Sequence, residues 1–198
     1  MKRIFLSIVV MLGLVGCTAE SVWAPAEEVA RARYVHGGQP SLTLVTVISN
    51  SSGSGGHTAL LVNGSQRVIF DPAGTFYHPH LPERNDVHYG MTPQAMDFYI
   101  DYHARVTWHV VTQEIAVSPA VAEQALQLVQ ANGAVGKAAC ASSTSAILRQ
   151  LPGFENIRST PFPVPLMESF GRLSGVTEKV YRDNDPDNNE YMAAPALR

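Results

Sequence analysis

The sequence predicts a single domain that mixes strands and helices, and three observations carry that reading. First, two apolar runs at 57–62 and 66–70 flank Asn63-Gly64-Ser65, and Asn-Gly between such runs is the strongest short hairpin signal. Second, Ser118-Pro119 followed by Val121, Ala125, Leu128 and Val129 at helical spacing marks a capped helix with one apolar face. Third, 198 residues with 45% hydrophobic and 16% charged content suit one domain with its own core, and they exclude a disordered tail or a coiled coil. The formal net charge of −3 comes with no basic face, so nucleic acid is not an expected partner.

The N-terminus sets the expected compartment. Lys2 and Arg3 precede an almost wholly apolar stretch at 4–15, too short to span a bilayer and suited to a signal peptide. It ends in Leu14-Val15-Gly16-Cys17, which resembles a bacterial lipobox. The resemblance implies a signal peptide over 1–16, lipidation of Cys17, and an anchor and tether over 17–40. Thr18 after the Cys favours the periplasmic face of the outer membrane, so the membrane is the expected partner through that anchor. Lipidation leaves Cys140 as the single thiol in an oxidising envelope, where cysteines usually pair. Without lipidation, a Cys17–Cys140 disulfide becomes the plain alternative.

The elements follow in order. Ala, Glu and Arg in 26–33 favour a short helix that Gly37, Gly38 and Pro40 end. The compact domain is expected over 41–180, opening with a strand at 41–49 (SLTLVTVIS). Residues 50–56 (NSSGSGG) read as a flexible loop before the hairpin. Residues 72–93, rich in His, Pro and Asp, read as a long surface loop. A short helix at 94–103 and an alternating strand at 105–111 (RVTWHVV) come next. The helix opened by Ser118-Pro119 closes at Asn132-Gly133, and another starts near Ala138 and runs through Leu148. Beyond it Pro161, Pro163 and Pro165 suggest weak structure, and 181–198 reads as a polar tail.

Cys140 carries the most chemistry. It lies in the first turn of its helix, where unpaired N–H groups and a partial positive charge favour thiolate over thiol. The same groups suit the oxygen of a tetrahedral intermediate. Against this, an unpaired Cys usually packs as a small hydrophobe. A thiolate needs a base, and His57, leading from a glycine-rich loop into an apolar strand, is the candidate. Asp71, at the end of the next strand, is the candidate to orient that imidazole; its plain role is a turn residue before Pro72. Hairpin register decides between them. A two-residue loop pairs Val62 with Ser65 and His57 with Phe70, turning Asp71 to the other face. A three-residue loop pairs Val62 with Gln66 and His57 with Asp71. A one-residue slip flips every side chain, so the sequence leaves both open.

The order of these motifs, GGHTALLV, then VIFDPAG, then KAACASSTSAIL, resembles the circularly permuted papain-fold thiol enzymes. This is the NlpC-like group that includes relatives of lecithin–retinol acyltransferase and envelope lipoproteins. Ordinary papain-like enzymes place the Cys before the His. The resemblance covers roughly 41–150 and implies an α+β fold, with a small antiparallel sheet packed against helices and the nucleophile at a helix N-terminus. It implies Cys140 as nucleophile, His57 as base and Asp71 as orienter, in a position that is often His or another polar residue in the group.

Other constellations are weaker. His78-Pro79-His80 with His88 and Asp86 match no strong ligand spacing, so no metal is expected, and no cofactor either. Ser142, Ser143 and Ser145 lack a nucleophile elbow. Phe98, Tyr99, Tyr102 and Trp108 read as core. The expected function is an envelope lipoprotein acting as a cysteine hydrolase or acyltransferase on an amide or ester bond, with peptidoglycan stem peptide or a lipid as substrate. The competing reading is a non-catalytic outer-membrane lipoprotein that binds a partner or ligand on the same scaffold.

Overall fold

A computed structural model describes residues 19–189, 192 and 194–196; the signal-peptide features, Cys17 and Thr18 lie outside the described residues. Ala26–Ala32 form α1. Ser41–Ser49 form β1, buried at all nine positions, as happens where both faces of a sheet are covered. β2 (Gly55–Asn63), β3 (Arg67–Phe70), β4 (Glu83–Arg84) and β5 (Val87–Tyr89) follow. Then come α2 (Pro93–His103), β6 (Trp108–Ala116), α3 (Pro119–Ala131), α4 (Cys140–Leu148), α5 (Pro163–Gly171) and β7 (Thr177–Arg182). The seven strands form one antiparallel sheet in the order β4-β5-β3-β2-β1-β6-β7. The architecture is α+β, and no helix among the described residues is long and apolar enough to cross a membrane.

Alternation along the strands divides the core in two. Leu42, Leu44, Leu60, Val62, Val68 and Phe70 pack against α3, α4 and α5 on one face. Val45, Val47, Ala59, Leu61 and Ile69 meet Ala95, Met96 and Tyr99 of α2 on the other. Two helices start as their sequences dictate. Thr92 accepts from the Ala95 N–H with Pro93 first in α2, and Ser118 accepts from the Val121 N–H with Pro119 first in α3. On α3 the buried residues are Ala122, Ala125, Leu126 and Val129, so the stripe is rotated slightly from the expected one.

Several expectations need correction. In the hairpin Val62 pairs with Val68 and Asn63 with Arg67, so the loop is Gly64-Ser65-Gln66 and neither anticipated register occurs. The 72–93 segment contains β4 and β5, which extend the sheet edge beyond β3. The strand expected at 105–111 runs over Trp108–Ala116, held between β1 and β7, and Arg105 joins it only through an isolated bridge to Trp108. The helix expected from near Ala138 begins at Cys140. The proline-rich region is ordered: Pro163 and Pro165 occupy the first turn of α5, where a missing N–H costs nothing. β7 is a mostly exposed edge strand carrying Glu178, Lys179 and Arg182, charges that discourage edge-to-edge pairing.

One turn carries visible strain. The Gly74 N–H donates to the Asp71 carbonyl at 3.0 Å, closing Asp71-Pro72-Ala73-Gly74. Ala73 has φ 57 at a position that favours glycine. Ala73→Gly is expected to stabilise the domain by about 1 kcal/mol, read as a higher urea midpoint at unchanged slope. A lower midpoint would show that the alanine methyl is used in packing.

Candidate functional site

β3 pairs with β2 only over residues 60–63, so 57–59 of β2 have an open edge beyond the end of β3. Cys140, the first residue of α4, stands in that gap. His57 and the Thr58 and Ala141 N–H groups lie close enough to its sulfur to act on the thiol. The early end of β3 thus lets a residue from the three-helix face meet one from the α2 face. The helix start is itself costly: Ala139 offers no side-chain cap, and Ala138 has φ 62. Its first N–H groups are therefore left for the sulfur and for whatever lies before it.

His57 follows a register shift in which β1 pairs Val47 with His57 but Ile48 with Gly55, leaving Gly56 as the extra residue of a bulge. A Cβ on Gly56 would come within 2.6 Å of the Trp108 ring, so only glycine lets the indole lie across this strand. The His57 Nε2–H donates to Asp71 Oδ1 at 2.6 Å. The Tyr99 hydroxyl donates to the same oxygen at 2.5 Å. Asp71 is 2% exposed, and its Oδ2 has no partner among the described residues. A Cβ on Gly74 would fall on this carboxylate, so the turn that follows Asp71 must end in glycine to make room for it.

The actual register explains the pairing. Leu60 faces Phe70, which sets Asp71 level with Ala59 and diagonal to His57. Shifting by two residues preserves the face, so Asp71 and His57 share one side without being direct partners.

The electrostatics follow from burial opposed by charge. Burial alone would lower the His57 pKa, but the Asp71 carboxylate, by charge and hydrogen bond, outweighs it and raises the imidazole well above its ordinary value, with Cys140 adding to the effect. Burial would raise Asp71, yet His57 holds it below the usual carboxylate range. Burial would raise the Cys140 thiol, and the hydrogen bond and charge of His57 with the two backbone N–H groups bring it below its ordinary value. Tyr99 is pushed up by burial and by Asp71 and stays a donor. The three groups favour a thiolate–imidazolium–carboxylate array.

Two neighbours were not singled out in the sequence. Tyr99 read as core, and it is fully buried, but its hydroxyl is a site hydrogen bond. His103, one turn later on α2, stacks on His57 with centroids 5.8 Å apart and planes 8° from parallel. Its Nδ1–H donates to the Tyr99 carbonyl at 2.8 Å. Burial lowers its pKa to about 4, so it covers the His57 ring as a neutral imidazole. The available signal was the i, i+4 spacing of polar-tipped residues on the buried side of a helix. Phe98 and Tyr102 are core as expected, whereas Trp108 is half-buried. A cavity of about 210 Å³ opens beside His57, lined also by Val47, Gly56, His103, Trp108 and Asn189.

His57, Asp71 and His103 present ligand atoms within 4.8 Å of one another, as do Asp101, Asp183 and Asp185, and either trio has the donor types a cation takes. In the first, His57 Nε2 and Asp71 Oδ1 are already paired at 2.6 Å; in the second, Arg105 ion-pairs with Asp101 and Asp185 at 3.6 and 3.3 Å. The weaker constellation is spread over separate tasks. His78 accepts from the His80 N–H and donates to the Pro195 carbonyl, His88 meets the Phe76 ring edge-on, and Asp86 accepts from the Val135 N–H. No family model, curated protein or solved structure matches the chain.

Proposed function

We propose that the chain is a cysteine hydrolase or acyltransferase of the permuted papain-like kind, anchored by Cys17 in the bacterial envelope at the periplasmic face of the outer membrane. The observation that carries the reading is the linked Cys140–His57–Asp71 array, in which each partner offsets the burial cost of the next charge. The Cys140 thiolate attacks the carbonyl carbon of an amide or ester while the carbonyl electrons move to oxygen, beside the open N–H groups of α4. The His57 imidazolium gives its proton to the leaving amine or alcohol as the bond to it breaks, leaving a thioester. Neutral His57 then takes a proton from water or an acceptor alcohol, which attacks the thioester and releases the thiolate. An anchored domain lies beside the cell wall, which makes peptidoglycan stem peptides the first substrates to try, with acyl lipids second.

The test is product release from muropeptides and short acyl esters by the wild-type chain and by Cys140→Ala, with the fold of both checked by circular dichroism. Turnover should fall by at least about 10³-fold in the variant. No product release by the wild-type chain, with undiminished in vivo function of a folded Cys140→Ala protein, would establish the binding lipoprotein instead.

A further inference from the structure

The α2 face has a second, polar end. There a cavity of about 260 Å³ lies between α2 and the sheet and adjoins another of about 280 Å³. Arg67, Glu114 and Thr177 line both, and Asp97, Thr112 and Lys179 line the first. Arg67 and Asp71 sit four residues apart on the same side of β3, about 13 Å at the rise of a strand, with buried Ile69 between them. The groove is therefore separate from the Cys140 cluster, and binding there does not depend on Cys140 being a nucleophile.

Arg67 is the unexplained residue. Its backbone is engaged: its N–H donates to the Tyr34 carbonyl at 2.8 Å and its carbonyl accepts from Met91 at 3.3 Å. Its guanidinium makes no hydrogen bond or ion pair among the described residues, and Nε is buried without an acceptor. Glu114 and Asp97 act on it through their charges without pairing with it. A half-buried, unpartnered guanidinium is unfavourable unless something else completes it. Its planar fork matches a carboxylate bidentately. The surrounding charge is balanced, Arg67 and Lys179 against Asp97 and Glu114, which disfavours a polyanion and suits a ligand bearing both signs. Thr112 and Thr177 add hydroxyls. The volume is at the small end for ligand sites.

We propose that this groove binds a small zwitterion, a free amino acid or a peptide end, with its carboxylate on Arg67 and its ammonium group facing Glu114 and Asp97. The experiment titrates the Cys140→Ala chain, in which the thiol is absent and the groove intact, with alanine, alanyl-alanine, N-acetylalanine, alanine amide and inorganic phosphate, following backbone amide shifts at Thr112 and Thr177. Saturable shifts are expected with alanine or alanyl-alanine, and binding at least about tenfold weaker for the probes lacking one charge. The tighter of the first two identifies a free amino acid or a peptide end. Arg67→Met should weaken binding by about tenfold or more at a urea midpoint no lower than that of wild type, because its guanidinium makes no internal bond. Glu114→Gln, at an exposed position, should weaken alanine but not N-acetylalanine. Absence of saturable binding, undiminished binding in Arg67→Met, or phosphate binding as tightly as alanine would each overturn the proposal.

Discussion

Replacing His57 by Ala is expected to move the half-maximum of Cys140 alkylation by iodoacetamide to higher pH and to slow the reaction near pH 7 by at least about tenfold. In the wild-type chain the rate should rise through a midpoint below the ~8.5 of an ordinary thiol, because His57 lowers the Cys140 pKa by hydrogen bond and charge. The sign is set by competition. Burial pushes the thiol up, while His57, Thr58 and Ala141 pull it down. Without the imidazole only the two N–H groups oppose burial. His57→Gln refines the test, since a neutral amide can restore a hydrogen bond but not the charge, and its midpoint should fall between those of wild type and His57→Ala. Cys140 is 7% exposed, so the absolute rate reports access as well as ionisation, whereas the midpoint reports ionisation. A thiol that reacts only after unfolding, with no His57 dependence, would make Cys140 a core residue.

The sequence carried the local signals of this site more fully than its assembly. Ser118-Pro119, the 41–49 run and the glycine-rich entry to His57 are local patterns, and the elements form where those patterns lie. The placement of Cys140 depends on β3 ending at Phe70 and on α4 reaching the gap, both products of long-range packing. Asp71 met His57 through a register that no loop rule specified: Asn63 joins the ladder opposite Arg67 instead of opening the turn. Parity survived because the observed register differs by two residues from one of the anticipated ones. Tyr99 and His103 were hidden for another reason. Aromatic residues on a helix read as packing, and only the folded chain shows that the Tyr99 hydroxyl ends on a buried carboxylate. The polar half of β6 was lost similarly, since Thr112 and Glu114 interrupt an apolar pattern yet border the open groove beside α2.

Asp71→Asn and Gly74→Ala should both cut turnover, by about 10² to 10⁴-fold, but for different reasons and with different effects on stability. Asp71→Asn keeps the shape and removes the charge. His57 then loses what outweighs its burial, its pKa falls, and with it the fraction of imidazolium that holds the Cys140 thiolate. The cost in stability is about 3 kcal/mol, as for a buried pair that loses one partner. That cost depends on pH. Asp71 has a depressed pKa in the folded chain, so its contribution is present above about pH 4, where the unfolded carboxylate ionises, and is lost as pH falls through the folded value. His57 has a raised pKa, so its contribution is full below about pH 6.5 and is lost as pH rises through its folded value. The difference in unfolding free energy between wild type and Asp71→Asn should therefore be largest between about pH 4 and 6.5 and shrink on both sides. Gly74→Ala leaves every titrating group in place but sets a methyl where the carboxylate lies, so Asp71 must move away from His57 or the turn must open. Turnover and the alkylation midpoint should then follow Asp71→Asn, while added Ala73→Gly relaxes the turn without restoring either. A Gly74→Ala protein with a wild-type alkylation profile would show that the carboxylate can shift without releasing His57, and that Asp71 does not orient the imidazole.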